Sequence, residues 1–581
     1  MILFDLKDAA RIHGGRTIFR GLSWSVQDGE KIGVIGPSGC GKSTLMDIIA
    51  AVEPPDAGAV TFRRGVRVAH LPQAYAGQPG RSALDEVLSG KEDLARIEDA
   101  MASAEVRMAE PGAMDDPDTF DALLARHARL LAEFDAHGGA QARSRAERLL
   151  GDLGLEGEAW SRPMEVLSGG QRKIVGVARC LLAEPDLLLL DEPDNHLDLR
   201  RKAMLERVIR QHTGAVIVIS HDRYLLDETV TTIIELESPR EGARLVRWDG
   251  NYSAYVAQKE LAQLRQQQDY TAQQKEIQRL EEAIVRFKEW ARIVVDERHI
   301  KQARNKQRQI DSMEKVERPA LERKKMALRF RQTQRGGAKV AEFRGVDKSF
   351  GDNIVLLGAQ ATIVHGETVG IVGPNGAGKS VLLKLLLGRM EPDAGEVWVG
   401  PSIKTGYYSQ EHETLDFRQT AVQAIRDVKP MFEGDAVAAL ARFLIPYEAA
   451  IQPIATMSGG EKSRVQLARL MQTGANCLVL DEPTNNLDIP AAEVLEAALE
   501  AFPGTIVVVS HDRYLLDRLA DRVIEVRDGE LHSFAGGYTA YEEARSAKAA
   551  SAAIAPTATS LAPTPAARPK KPTRTAAPWA G

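Results

Sequence analysis

Gly36-Pro37-Ser38-Gly39-Cys40-Gly41-Lys42-Ser43 is the stretch on which the reading of this chain turns. Gly36 and Gly41 bracket four residues and Lys42-Ser43 follows, which is the spacing of a phosphate-binding loop. Glycines at 36, 39 and 41 let successive backbone N–H groups curl around phosphate oxygens. The helix that follows presents its positive N-terminal end. In such a loop Lys42 reaches the β- and γ-phosphates and Ser43 holds Mg²⁺, with Thr44 adding a phosphate hydroxyl. One Gly-rich turn can arise by chance. This one recurs as Gly373-Pro374-Asn375-Gly376-Ala377-Gly378-Lys379-Ser380. Two copies imply a tandem nucleotide-binding protein.

The rest of the chain aligns around the two loops. Gly36 and Gly373, Asp56-Ala57-Gly58 and Asp393-Ala394-Gly395, and Gln73 and Gln410 are each 337 residues apart. Further on, Ser168-Gly169-Gly170 and Ser458-Gly459-Gly460, Asp191-Glu192-Pro193 and Asp481-Glu482-Pro483, and the Ser-His-Asp-Arg-Tyr-Leu-Leu-Asp runs from Ser220 and from Ser510 are each 290 apart. The first copy therefore carries 47 extra residues between Gln73 and Ser168. Internal duplication of this kind fixes the architecture as two repeats. Strand, loop, helix and strand alternate within each copy, which predicts an α/β fold with a mainly parallel sheet.

Bulk properties bound the class. At 581 residues the chain is too long for a single core. Its net charge of −6 rules out an overall polycation, so any nucleic-acid contact needs local basic surface. Cys40, Cys180 and Cys477 have no metal-ligand spacing and read as reduced thiols of a cytoplasmic protein. No run reaches the roughly 20 apolar residues of a membrane span, and the start lacks a signal-peptide pattern.

The two repeats are expected over residues 1–257 and 338–546. The insertion lies within about 84–163, where Leu123, Leu124, Leu130, Leu131 and Phe134 follow a helical period. A protruding helical hairpin and a longer form of the repeat's own helical part both fit. From 258 to 337 glycine is absent until Gly336, and Ile277, Leu280, Ile284 and Phe287 make a helical seam. Ile310, Met313 and Val316 continue a similar stripe. Two antiparallel helices turning near Val294–His299 account for the pattern. Between Arg292 and Arg335 there are 14 Lys/Arg against 6 Asp/Glu, opposite in sign to the whole chain. A solvated charged face and a polyanion-binding surface are both consistent with that excess. Residues 547–581, rich in Ala, Pro, Thr and Lys, have little to bury and read as disordered.

Four constellations carry chemistry. Leu187–Leu190 and Leu478–Leu480 are apolar strands ending in Asp191-Glu192 and Asp481-Glu482. Acids at that edge suit Asp191 and Asp481 to Mg²⁺ and Glu192 and Glu482 to general-base work on water. His221 and His511 end apolar strands and are placed to contact a γ-phosphate. Gln73 and Gln410, after short strands, are candidates for Mg²⁺ and the attacking water. Ser168-Gly169-Gly170-Gln171 and Ser458-Gly459-Gly460-Glu461 open helices and form second anion sites. Since each repeat has its own phosphate loop, these second sites are expected to serve the other repeat's nucleotide. His13 and Phe350, both 23 residues before their loops, offer rings for stacking on adenine.

This ordered set resembles the ATP-binding-cassette family over nearly all of residues 1–546. Two cassettes on one chain with a charged helical linker look like its ABC-F subfamily. The closer match rests on Glu192–Asp198, Glu482–Asp488, the paired Ser-His-Asp-Arg-Tyr-Leu-Leu-Asp runs, and Trp248-Asp249-Gly250-Asn251-Tyr252-Ser253. The resemblance implies an ATPase using ATP and Mg²⁺ that binds ribosomes, touching rRNA and tRNA near the exit site, and acts on translation or protects ribosomes from antibiotics. It makes the insertion an arm and the linker the part that reaches toward tRNA.

The expected arrangement is a monomer whose cassettes face head to tail. One site would pair Lys42 and Glu192 with Ser458 and Gly460, the other Lys379 and Glu482 with Ser168 and Gly170. Departures between the copies are Ser38 for Asn375, Asp194 for Thr484 and Thr44 for Val381. The alternative is the ATPase subunit of a membrane transporter with separate membrane chains, which has no evident use for the charged linker.

Overall fold

Short strands made wholly of apolar residues need cover on both faces, and each repeat supplies it. In the computed structural model the first repeat contains a six-stranded sheet. Its strand order is Val68–Leu71, Leu187–Asp191, Ala215–Ile219, Lys31–Ile35, Thr232–Glu237 and Arg244–Asp249. The first five strands run parallel and the last is antiparallel. Every residue of Leu187–Asp191 and Ala215–Ile219 is buried, as expected of central parallel strands. The second repeat has the same order, from Thr405–Tyr408 through Cys477–Asp481, Thr505–Val509, Thr368–Val372 and Arg522–Arg527 to Glu530–Ala535. In each repeat a three-stranded antiparallel sheet covers one side, with Ile2–His13 or Lys339–Phe350 at its centre. The structure describes residues 1–109, 117–136, 138–237, 243–293, 297–313, 338–409, 414–485 and 487–554.

The topology brings the chemistry to one edge. Gly36 follows the strand Lys31–Ile35, His221 follows its neighbour Ala215–Ile219, and Asp191-Glu192 ends the strand beyond. Parallel strands put all three C-terminal ends on the same side, where α/β sheets bind ligands.

The insertion forms helices at Glu92–Ala109 and Pro117–Ala136, which pack on one another, followed by Gly139–Asp152. Leu123 is buried, Leu124 and Leu131 are exposed, and Phe134 packs against the first repeat's core. Ala142, Ala146 and Leu150 join that core directly. The linker forms a 42-residue helix, Tyr252–Ile293, and a second, Glu297–Ser312. Leu280 and Ile284 of the first pack with Ala303 and Ile310 of the second, flanked by Phe287 and Met313. The expected seam is thus present, but the first helix begins at Tyr252, inside the stretch read as the first cassette. Val316 and the rest of 314–337, residues 294–296 of the turn expected near Val294–His299, and the tail from 555 lie outside the described residues, while Glu297–His299 are already helical.

The two repeats share cores as well as a surface. Leu199, first in the helix Leu199–Gln211, packs into the second repeat's core, and Ile489, first in Ile489–Glu500, packs into the first repeat's. All three cysteines are free and buried.

Candidate functional site

Each phosphate loop is held by glycine geometry. Gly41 and Gly378 adopt φ of 97° and 98°, and a Cβ there would lie 2.4 Å from Ile18 and from Val355. Only glycine meets both demands. Lys42 Nζ donates to the carbonyls of Gly36 and Pro37 at 2.8 and 3.1 Å, and Lys379 Nζ to those of Gly373 and Pro374 at 2.8 and 2.9 Å. Both ammonium groups are buried at the mouth of their own loop.

The acid edge follows. Glu192 and Glu482 sit in left-handed backbone, at φ of 47° and 48°, a strained conformation for a residue with a side chain. Glu192 Oε2 accepts from Gln73 Nε2 at 2.9 Å and Asn195 Nδ2 at 2.6 Å, and His221 Nε2 lies 3.5 Å from Oε1. Burial works against its ionisation, but the His221 and Gln73 contacts and Lys42 outweigh it and hold the carboxyl below its ordinary value. Among the described residues, which do not include Gln410, Glu482 has fewer donors. Its Oε2 accepts the backbone N–H of His511 at 3.1 Å, while Oε1 is buried with no hydrogen-bond donor, His511 Nε2 being 3.4 Å away. Burial dominates there, against the pull of Lys379, and pushes the Glu482 pKa up to about 7. His511 is pushed well below 6.5 by burial and by Lys379 and Lys202, so it is neutral near pH 7.

Asp191 is raised to about 6, chiefly by burial, which its contact with Ser43 partly offsets. Its Oδ1 is buried without a hydrogen-bond partner. An orphaned carboxylate oxygen beside the loop hydroxyl fits a hard cation. Asp481 pairs with Ser380 in the same way and is also raised by burial.

Two cavities lie between the repeats. One, of about 270 Å³, is lined by Ser38, Gln73, Glu192 and His221 from the first repeat and by Gly459, Gly460 and Asn485 from the second. The other, of about 420 Å³, is lined by Gly376, Gly378, Lys379, Ser380, Val381, Asp481, Glu482 and His511 from the second, and by Asp194–Leu197 and Lys202 from the first. Of the residues expected to meet here, Lys42 and Glu192 with Ser458 and Gly460, the lining of this cavity includes Glu192 and Gly460 but neither Lys42 nor Ser458. On the other side the first repeat reaches the cavity through His196, with Gly169 and Gly170 packed directly behind that residue. Ser168 and Ser458 cap their helices in reciprocal boxes with Gln171 and Glu461.

Two aspartates close the arrangement. Asp488 Oδ2 accepts the backbone N–H of Ser38 at 3.0 Å, and Asp198 Oδ2 that of Asn375 at 3.4 Å. Asn375 Nδ2 also donates to the His196 carbonyl at 3.2 Å. At the centre Arg223 pairs with Glu496 and Arg513 with Glu206, each across the interface and almost wholly buried. Each guanidinium stacks on the opposite repeat's tyrosine, 4.2 Å from the Tyr514 ring centre and 4.0 Å from that of Tyr224.

Phe350, half exposed at the end of its strand, and Val355 line the second cavity, whereas His13 at the matching strand end lines neither cavity. Gln410 lies outside the described residues. The sequence reading missed Asn195, the Arg–Glu pairs and Lys202. Lys202 could have been found by looking for charges that break the repeat, since its counterpart 290 residues on is Ala492.

Among the described residues no helix is long and apolar enough to cross a membrane. A family model described as ABC transporter matches residues 19–195 and 356–485, and a related extension model matches 240–330. The chain is 35% identical over 547 residues to the energy-dependent translational throttle protein EttA of Haemophilus influenzae, covering 91% of this chain and 92% of that protein. It is 33% identical over 542 residues to ABC transporter F family member 5 of Arabidopsis thaliana, covering 93% and 77%. The archaeal ribosome recycling factor aABCE1, solved with the stalk protein aP1, superposes with a TM-score of 0.57 at 20% identity over 93% of this chain and 92% of that one, a likeness of fold. With both phosphate loops, both acid edges and whole-length similarity in place, the chain is an ATPase of the ATP-binding-cassette family and belongs to its ABC-F subfamily.

Proposed function

We propose that this protein is an ATP-gated clamp that binds ribosomes in the cytoplasm, contacting rRNA and tRNA near the exit site, and sets the pace of translation. It works as a monomer, with its own two cassettes (1–257 and 338–546) closing on each other and the linker 258–337 moving with them. The observation that carries the clamp is the reciprocal pair of aspartate contacts, Asp488 to Ser38 and Asp198 to Asn375, because each phosphate loop is braced by the opposite cassette. The ribosome is favoured by the EttA relative's name and by the basic excess between Arg292 and Arg335.

In this reading Lys42 and Lys379 swing from their own loop carbonyls onto the β- and γ-phosphates. Glu192 and Glu482 take a proton from water as it attacks the γ-phosphorus, and the bond to the bridging oxygen breaks to leave ADP and phosphate. His221 and His511 bond the γ-phosphate, and Gln73 and Gln410 orient the water. Ser458, Gly459 and Gly460 serve the first nucleotide, and Ser168, Gly169 and Gly170 the second. Ser43, Asp191 and Gln73, and Ser380, Asp481 and Gln410, are the groups that would hold Mg²⁺, which when bound neutralises charge on the β- and γ-oxygens. ATP favours the closed form because only closure completes both sites.

The test is co-sedimentation of the Glu192→Gln/Glu482→Gln protein with ribosomes at two salt concentrations. ATP-dependent pelleting that weakens with salt is the expected result. Protein that stays in the supernatant with and without ATP overturns the ribosome assignment and leaves the ATPase standing.

A further inference from the structure

The interface is nearly two-fold symmetric, and a buried lysine with its neighbouring aspartate breaks the symmetry. Lys202 lies on the helix Leu199–Gln211. Its Nζ donates to Asp222 Oδ2 at 2.8 Å and, across the interface, to the carbonyl of His511 at 3.2 Å. The residue is 9% exposed. Asp222 also caps the helix after His221, accepting from the N–H groups of Tyr224 and Leu225. One ammonium therefore links the loop behind His221 to the loop that carries His511. Lys202 lines both interface cavities.

Among the described residues the second cassette has no such link at the matching position. Position 492 is alanine, whose methyl group reaches no carbonyl, and position 484 is threonine where the first cassette has the buried Asp194. Asp194 accepts from Ser220 Oγ at 2.8 Å and lies within the field of Lys202. Asp194 and Lys202 thus enter the first cassette together as an added anion and an added cation. A buried ammonium requires such compensation, and two carboxylates supply it.

We propose that Lys202 is a positioning residue for the site of Lys379, Glu482 and His511, and that this tether works in one direction only. It fixes His511 against the first cassette, so the second site is set for hydrolysis only when the first cassette is docked. Among the described residues no side chain of the second cassette donates to the His221 carbonyl, although Arg513 lies 3.6 Å from Asp222 beside it. The inference rests on the assignment of Glu192 and Glu482 as the catalytic carboxylates and is independent of the ribosome.

The test separates the two sites. In a Glu192→Gln background turnover comes from the Glu482 site, and in a Glu482→Gln background from the Glu192 site. Lys202→Met in the first background is expected to lower kcat about tenfold while KM for ATP changes less than about twofold, since a misplaced catalytic group costs rate rather than ground-state binding. In the second background the loss should be at least about fivefold smaller. Lys202→Arg, which keeps a donor to the His511 carbonyl, should recover most of the rate. Asp194→Thr/Lys202→Ala removes both added charges and installs the second cassette's residues, so it avoids an unpaired buried aspartate. It should show the same one-sided loss. Equal losses in both backgrounds, or none in either, overturn the tether. Full wild-type turnover in both single Glu→Gln backgrounds instead overturns the assignment of the carboxylates.

Discussion

The site on Lys42 and the site on Lys379 share a frame and differ in how that frame is charged. Both have a phosphate loop with a lysine folded on its own carbonyls, a glutamate in left-handed backbone and an aspartate reaching from the opposite cassette. Around the glutamates they part. Among the described residues, Glu192 accepts from two side-chain amides with a histidine close by, whereas Glu482 accepts one backbone N–H and has an oxygen buried without a donor. The same residue type in the same backbone is held ionised in one site and driven toward neutrality in the other. What the difference teaches is that matching residues can be placed differently, since Gln73 and Gln410, Asn195 and Asn485, and His221 and His511 are the same residue types in both copies, Gln410 lying outside the described residues.

The strongest way to break the comparison is to remove each base. The double variant Glu192→Gln/Glu482→Gln should lose about 10²- to 10⁴-fold in phosphate release, the range for a general base. Each single variant should keep the turnover of the intact site. A single variant with untouched total turnover would mean that its site does not hydrolyse.

Next in size is the central charge network. Arg513 is the guanidinium that pairs with Glu206, whereas Glu496 is shared between Arg223 and Arg518, the latter at 3.0 Å. Removing one partner of a buried pair costs about 3–5 kcal/mol when the remaining charge is uncompensated. Arg513→Met should therefore weaken closure more than Arg223→Met, which leaves Arg518 on Glu496. The ATP-induced rise in melting temperature of the Glu192→Gln/Glu482→Gln protein measures this. Equal losses would show that the two halves of the interface are energetically equivalent despite Arg518.

Much of this frame was legible in the chain. The loops, the acids and the histidines are local patterns, and hydrogen bonds within a turn follow from spacing that a reader of sequence can count. The apolar strands Leu187–Leu190 and Ala215–Ile219 announced central parallel strands because no other environment buries both faces. The head-to-tail pairing followed from a surplus of anion sites. What could not be read was anything set by a contact across the interface. Lys202 and His511 are 309 residues apart, and a lysine among arginines on a helix gives no sign of being buried. Nor do two rings at matching distances from their loops tell which one reaches the cavity. His13 and Phe350 both end their strands exposed, yet Phe350 lies on a cavity wall and His13 lines neither interface cavity.

The different carboxylates predict different responses to pH. A general base works only when deprotonated. Glu482 has its pKa raised to about 7, so protons bind it as pH falls below that value and its site loses the base. Glu192 is lowered, so its site keeps the base through the same range. In the Glu192→Gln protein, kcat should fall about tenfold between pH of about 8 and about 6. In the Glu482→Gln protein it should fall much less. Superimposable profiles from the two proteins would show that bound nucleotide erases the difference.

The smallest expected effect concerns the base of the nucleotide. Phe350 lies on the wall of the second cavity beside Val355, with the Lys348 ammonium 5.8 Å from its ring centre. A ring so placed can stack on adenine, and aromatic stacking contributes about 0.5–1.5 kcal/mol, roughly two- to tenfold in affinity. Phe350→Ala should raise KM for ATP by that factor in the Glu192→Gln background and leave kcat nearly unchanged, because the ring holds ground and transition states alike. His13 lines neither interface cavity, and His13→Ala in the Glu482→Gln background should change KM by less than about twofold. If His13→Ala raises KM as much as Phe350→Ala does, the first loop must fold over its nucleotide on binding. The asymmetry between the sites would then lie in their charges and not in how they hold the base.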